Sequence, residues 1–164
     1  MPQGARERVR MRPMLEREFE PYFDASLEEY AAFVARNHDI SLDAARARAA
    51  TSTADMLPDG LHSQGHRFWV AELETDEHVG ELWLGFRRID DVDVVWVYDV
   101  RVDEHLRGRG FGRQIMEAAD SLAREMGGER IGLNVFGDNP IARGLYEAVG
   151  YVEISRQMRK DLSP

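Results

Sequence analysis

The 164-residue chain has the length of a single domain, and a domain of that size buries a core without staples. Hydrophobic residues at 43% and charged residues at 31% exclude a disordered chain, and the absence of cysteine excludes disulfides, thiolate zinc sites and a cysteine nucleophile. With 30 acidic against 21 basic residues the net charge is −9, which argues against a general nucleic-acid surface.

Met1 to Arg12 carries four arginines but no apolar stretch, so it does not read as a secretory signal and a cytoplasmic location is expected. Within it, Arg8 to Arg12 alternates charged and apolar residues as a half-buried strand does. From Arg17 to Arg36, Phe19, Phe23, Leu27, Tyr30 and Val34 recur at helical steps, with Pro21 in the first turn or just before it. Ser41 is placed to cap a second helix that runs to Met56 and stops at Leu57-Pro58-Asp59-Gly60. Arg67 to Glu74 and Val79 to Arg88 then read as strands around a hairpin turn at Thr75 to His78. After a polar turn at Asp90 to Asp93, Val94 to Val102 is a third strand, apolar on both faces and so central in its sheet. Its apolar run stops at Asp99, far short of the roughly 18 residues of a membrane helix, so no membrane partner is expected.

Gly110 opens a helix marked by Phe111, Ile115, Ala118, Leu122 and Met126, and Gly127-Gly128 closes it. Ile131, Leu133 and Val135 alternate as a strand. Asn139-Pro140 starts a short helix that ends at Gly150, and Tyr151 to Lys160 is a last strand. The expected fold is mixed α/β: a mostly antiparallel central sheet, helices on both faces, and one strand–helix–strand crossover.

The segment from Asp99 to Arg113 leaves a buried strand and passes through Gly108, Gly110 and Gly112 into a helix. Glycine permits positive φ and close approach of the backbone, and the first turn of a helix offers unpaired N–H groups and a positive dipole end. With Arg101, Arg107, Arg109 and Arg113 around it, the loop reads as a phosphate or pyrophosphate cradle. A solvated basic turn is the alternative. It lacks the Gly-Lys-Ser/Thr of a Walker A loop. The third glycine of a dinucleotide fingerprint would stand one place later, and that fingerprint belongs to a first βα unit.

Arg107-Gly108-Arg109-Gly110-Phe111-Gly112 resembles the R/Q-x-x-G-x-G/A signature of the GNAT acetyltransferases. Downstream, Asn139, Ala142, Leu145, Tyr146, Gly150 and Tyr151 stand at the spacing of the family's N-x-x-A-x-x-L-Y-x-x-x-G-F/Y element. The resemblance is close over residues 94–151, follows strand pattern alone over 67–93, and leaves 15–66 as the variable helical segment on the acceptor side. It implies one domain over 1–164, with 94–151 as its acyl-CoA-binding core. It also implies an acetyl-CoA cleft where two parallel strands, Val94–Val102 and Arg130–Phe136, splay apart. The pyrophosphate would rest on Arg107, Gly108, Arg109, Gly110, Phe111, Gly112 and Arg113. The pantetheine would run along Val100, Arg101 and Val102, with Asn139 and Ala142 contributing from the last helix. A backbone N–H near the end of the strand would polarise the thioester carbonyl.

Transfer to an amine requires the ammonium to lose a proton and the CoA thiolate to gain one. Tyr146 stands at the family's general-acid position, and packing on the helix face of Ala142 and Val149 is its alternative role. Asn139 caps the helix whether or not it touches the cofactor. The family's glutamate base falls on Tyr98, and Asn134 stands where other relatives have a carboxylate. Asp99 is then the candidate base, directly or through a water, with a structural ion pair as the other reading.

His62 and His66 share a metal-like spacing but have no third ligand, Asp90, Asp91 and Asp93 lack the rest of a calcium loop, and no nucleophile elbow is present. No metal is expected. Trp69, Trp83 and Trp96 read as core or cleft-wall packing. The implied function is an N-acetyltransferase acting through a ternary complex, and an acyl-CoA-binding sensor is the alternative. The acceptor would be a small-molecule or peptide amine, the acidic surface favouring a cationic one. A homodimer is compatible with the sequence.

Overall fold

The computed structural model describes residues 7–162. Nine principal elements follow in order: β1 (Val9–Pro13), α1 (Glu16–His38), α2 (Leu42–Met56), β2 (His66–Leu73), β3 (His78–Ile89), β4 (Val92–Val102), α3 (Phe111–Glu125), β5 (Ile131–Leu133) and α4 (Pro140–Ala148). The five strands lie in sequence order in one sheet, antiparallel throughout except for the parallel pair β4 and β5 joined through α3.

The alternation of the strands divides the molecule at the sheet. On one face Trp69, Ala71, Leu82, Leu84, Val95 and Val97 pack against Phe111, Ile115, Met116 and Ala119 of α3. On the other, Phe68, Val70 and Trp83 meet Tyr22 of α1 together with Met14 and Leu57. α2 packs on α1 where Ala45 meets Ala31 and Val34. Small residues let these two helices approach closely.

Local signals account for most boundaries. Glu18 accepts the Leu15 N–H at 2.8 Å and holds Arg12 through two bonds of 2.7 and 2.8 Å, which fastens the start of α1 to β1. Ser41 caps α2 by accepting the Ala44 N–H at 3.1 Å. Pro21 lies in the second turn of α1, later than its sequence suggests, and denies the helix one backbone donor there. Between β3 and β4 the turn is Asp90-Asp91 alone, with φ of 48° and 63°, the two-residue hairpin that suits the twist of the strands. Val92 and Asp93 already belong to β4 and pair with Ile89 and Arg88.

One expected element is missing from the sheet. Tyr151 to Lys160 carries a strand pattern, yet past Tyr151 the segment lies exposed and none of it joins a ladder. Periodicity describes a face that could pair; it does not supply the neighbour.

Candidate active site

The site begins where β4 and β5 part. Only three ladder positions join them, Val95 with Ile131, Trp96 with Gly132 and Val97 with Leu133. From Tyr98 onward the β5-facing edge of β4 is unpaired, and a cleft of about 1310 Å³ opens there. Its lining includes Val100, Arg101, Val102, Arg107, Gly108, Gly110, Phe111, Gly112, Arg113, Asn139, Ala142 and Tyr146. The candidate residues from two distant stretches of sequence thus face one cavity.

The glycine turn leads into α3 with Gly108 at φ 76° and Gly110 at φ 87°, a conformation that L side chains rarely adopt. Space beside both is open: an added Cβ would meet nothing within 4 Å. Gly112 differs, because a Cβ there would stand 3.2 Å from Leu145 and seat α3 less closely on α4. No side chain caps α3, so the amides of its first turn face the cleft without a protein partner. The arginines have local duties. Arg107 Nε donates to the Val102 carbonyl at 3.0 Å, tying the loop to the end of β4. Arg113 pairs with Glu117 at 2.8 Å. Arg109 pairs with Glu7 and lies over the Phe111 ring, so its guanidinium is turned away from the cleft lining.

A β-bulge shapes the opposite wall. Trp83 pairs with Asp99 and Leu84 with Val97, which leaves Tyr98 as the extra residue of β4. The alternation changes phase there: Val95 and Val97 face α3 before the bulge, and Val100 and Val102 face it afterwards. Trp96, Tyr98, Asp99 and Arg101 consequently look toward α1. Tyr98 stacks on Trp83 at 4.8 Å, and Arg101 reaches Glu29 of α1 at 3.4 Å.

Asp99 accepts hydrogen bonds from the Tyr22 hydroxyl at 2.9 Å and the Ser26 hydroxyl at 3.0 Å. Both fall on Oδ2, leaving Oδ1 available. Removal from water pushes the Asp99 carboxyl up to about 6 in spite of those two donors. Burial, followed by the charge of Asp99, pushes the Tyr146 phenol up to about 12. Two titratable groups of one cleft are therefore held apart, one ionised and one protonated at neutral pH. Asn139 caps α4 by accepting the Ala142 N–H at 3.1 Å. Beyond the bulge, Phe33 stacks on Phe136 at 5.6 Å, while Arg36 and Asn37 hold Asp138 at 3.0 and 3.1 Å. This clasp joins the end of α1 to the segment after β5.

The profile of the acetyltransferase (GNAT) family matches residues 11–151. The chain belongs to that family. As a GNAT protein it is an acyl-CoA-dependent acetyltransferase with acetyl-CoA as co-substrate. The uncharacterized N-acetyltransferase YycN of Bacillus subtilis is 30% identical over 154 residues, 94% of this chain and 99% of YycN. The YycN crystal structure superposes with a TM-score of 0.87 over 95% of this chain and 99% of that one. The peptidyl-lysine N-acetyltransferase YjaB of Escherichia coli is 30% identical over 135 residues, 82% of each protein. The aminoglycoside N-acetyltransferase AAC(6')-Iy, solved with CoA, shares the fold at 17% identity and a TM-score of 0.58, over 98% of this chain and 97% of that one.

Several residues of this GNAT cleft escaped the sequence reading. Ser26, Glu29, Phe33 and Met56, with Tyr22 behind them bonding Asp99, come from the variable helical segment, and Arg87 comes from β3; Trp83 is the cleft wall that its sequence reading allowed. The change of phase from Val95 and Val97 to Val100 and Val102 was the one available signal, since it betrays the bulge. The distractors have structural partners: His62 bonds Glu16 at 2.7 Å, and His66 accepts the Trp83 indole N–H at 3.0 Å. No helix among the described residues is long and apolar enough to cross a membrane.

Proposed function

We propose that the chain transfers an acetyl group from acetyl-CoA directly to a primary amine inside this cleft. One observation carries the reading: a parted strand pair brings together an uncapped helix start, a carboxylate held near 6 and a phenol held near 12. The pyrophosphate would lie on the amides from Gly108 to Arg113, with Arg107 keeping the turn in place, and the pantetheine along the free edge of Val100 to Val102. Asp99 Oδ1 takes the proton that the ammonium must lose. The amine nitrogen attacks the thioester carbon, the C–S bond breaks as Tyr146 gives its proton to the departing sulfur, and the second proton that the nitrogen sheds restores the Tyr146 phenol.

The acceptor side supports a cation on an apolar stem. Met56, Leu27, Trp83 and Tyr98 supply apolar and aromatic wall, while Asp99 supplies negative charge, Glu29 being paired with Arg101. A lysyl peptide or an aliphatic polyamine matches that chemistry better than a polyhydroxylated amino sugar. The test is release of CoA thiol from acetyl-CoA across a panel of these three amine classes. Direct transfer, which the lack of a cysteine nucleophile favours, requires both substrates to be bound together, and initial-rate lines against the two should intersect. Parallel lines or an isolable acetyl-enzyme would overturn direct transfer.

A further inference from the structure

Trp96 stands between two glycines. Its cross-strand partners are Gly85 on β3 and Gly132 on β5, so neither neighbouring strand sets a side chain beside it. Rings take up the room. A Cβ at Gly132 would lie 2.9 Å from Trp96 Cζ3, and one at Gly85 would lie 2.4 Å from His66 Nδ1 and 2.9 Å from Tyr98 Cε2. Tyr98 in turn packs on His66 at 5.3 Å and on Trp83 at 4.8 Å. Trp83, Tyr98 and Trp96 thus give the α1 side of the cleft an aromatic floor, with Asp99 at one end of it.

Arg87 stands at the other end. Two residues beyond Gly85 on β3, it lays its guanidinium over the Trp96 ring, 4.5 Å from the centroid. Among the described residues five arginines line the cleft, and four of them have polar partners. Arg36 pairs with Asp138, Arg101 with Glu29 and Arg113 with Glu117, while Arg107 donates to the Val102 carbonyl. The exposed Arg87 guanidinium has the indole and no described carboxylate or carbonyl. Its charge is felt inside the cleft: burial pushes the Tyr98 phenol up, and Arg87 works against that rise.

We propose that Arg87 receives a carboxylate at the far end of the acceptor, which makes the acceptor an ω-amino carboxylate. The amine lies at Asp99, the aliphatic chain lies along the aromatic floor, and the carboxylate meets Arg87. Three residues of β4 separate Trp96 from Asp99, about 10 Å. A chain of about five methylenes, with a hydrogen bond at each end, covers that span. Stacking on the indole fixes the guanidinium plane and leaves its N–H edge free for a bidentate grip. The assignment rests on the acetyl transfer proposed above and separates two acceptors that it left together. A polyamine would bring a second ammonium to the guanidinium. A lysine side chain whose own carboxylate is free, in the amino acid or at a peptide C-terminus, brings the matching charge.

Pentylamine, cadaverine and ε-aminocaproate test it, because they share one chain and carry a neutral, a positive and a negative far end. By release of CoA thiol, kcat/KM for ε-aminocaproate should exceed that for pentylamine about tenfold, with cadaverine the poorest of the three. Arg87→Gln should bring the ratio of ε-aminocaproate to pentylamine to about one, through KM rather than kcat. Arg87→Lys should keep part of the ratio, and Arg87→Glu should turn the order in favour of cadaverine. Titration of tryptophan fluorescence in the presence of CoA reads Kd for the same three ligands without turnover, and the order should be the same. Free lysine and an N-acetylated dipeptide ending in lysine then distinguish the amino acid from the peptide C-terminus by the higher kcat/KM. Three amines alike in rate and in Kd, or a ratio that survives Arg87→Gln, would overturn the carboxylate subsite. Tightest binding of ε-aminocaproate with no turnover of any amine would support the subsite and count against acetyl transfer alone.

Discussion

The two faces of the sheet reach specificity by different means. On the α3 side the proposed working parts are backbone: uncapped amides, two glycines at positive φ and an unpaired strand edge. Apolar burial holds them in place, with Leu82, Leu84, Val95 and Ile115 fully enclosed. On the α1 side the proposed working parts are side chains, and single hydrogen bonds across 73 and 77 residues of sequence hold Asp99 in place. A backbone site tolerates many sequences around a short motif. A side-chain site is lost or retuned by one substitution.

The largest effect should come from breaking the backbone half. Gly110→Glu adds a side chain and a negative charge where the amides gather, and forces a residue with a Cβ to adopt φ 87°. Acetyl-CoA at a hundred times its Kd should stabilise the unaltered chain by about 2.7 kcal/mol, read as a rise in Tm, and the variant should show none. A shift that survives the substitution places the phosphates elsewhere.

Tyr146→Phe sharpens the contrast, because it removes one hydroxyl from a ring that remains packed. If backbone groups supply CoA affinity as proposed, it should stay within about twofold, while kcat falls by roughly 10²-fold. Full kcat with a good amine would reduce Tyr146 to packing.

Asp99→Asn should act more mildly and with a pH signature. Activity of the unaltered chain should rise with pH through about 6 as Asp99 loses its proton. The variant should lose roughly tenfold at pH 7 and recover part of it toward pH 10, where more amine arrives neutral. Stability gives the sign independently. The folded chain holds the Asp99 proton more tightly than the unfolded chain, so this contribution is present below 3.8 and lost as pH rises through about 6. The amide of the Asp99→Asn variant does not titrate and should flatten that slope, and an unchanged Tm-against-pH curve would count against it.

The same division governs how much could be read from sequence. The glycine turn, α3 and α4 were legible because caps, glycines and helical spacing are local. The antiparallel order of the sheet followed from short turns. Asp99 stood out as a lone carboxylate in an apolar run, but its partners Tyr22 and Ser26 did not, since nothing in a helix repeat announces which residue meets a strand 73 positions away. The apolar spacing of α1 pointed to Leu27 and Tyr30 as core, whereas the buried positions are Tyr22, Ser26, Ala31 and Val34 and those two residues line the cleft. Arg109 was expected among the phosphate contacts from the signature it stands in and from its charge, and its guanidinium pairs with Glu7 in the fold. For residues 151–160 the pattern was visible and the neighbour was not.

The clasp between α1 and the segment after β5 has a thermodynamic consequence. Phe33 on Phe136, and Arg36 and Asn37 on Asp138, make the helix that positions Asp99 and the strand that walls the acyl cleft move as one. A ligand that orders β5 should thereby also order α1, and amine affinity measured with and without acetyl-CoA should then show the two substrates to be cooperative. Linkage makes that coupling reciprocal: whatever factor acetyl-CoA contributes to amine affinity, the amine returns to acetyl-CoA.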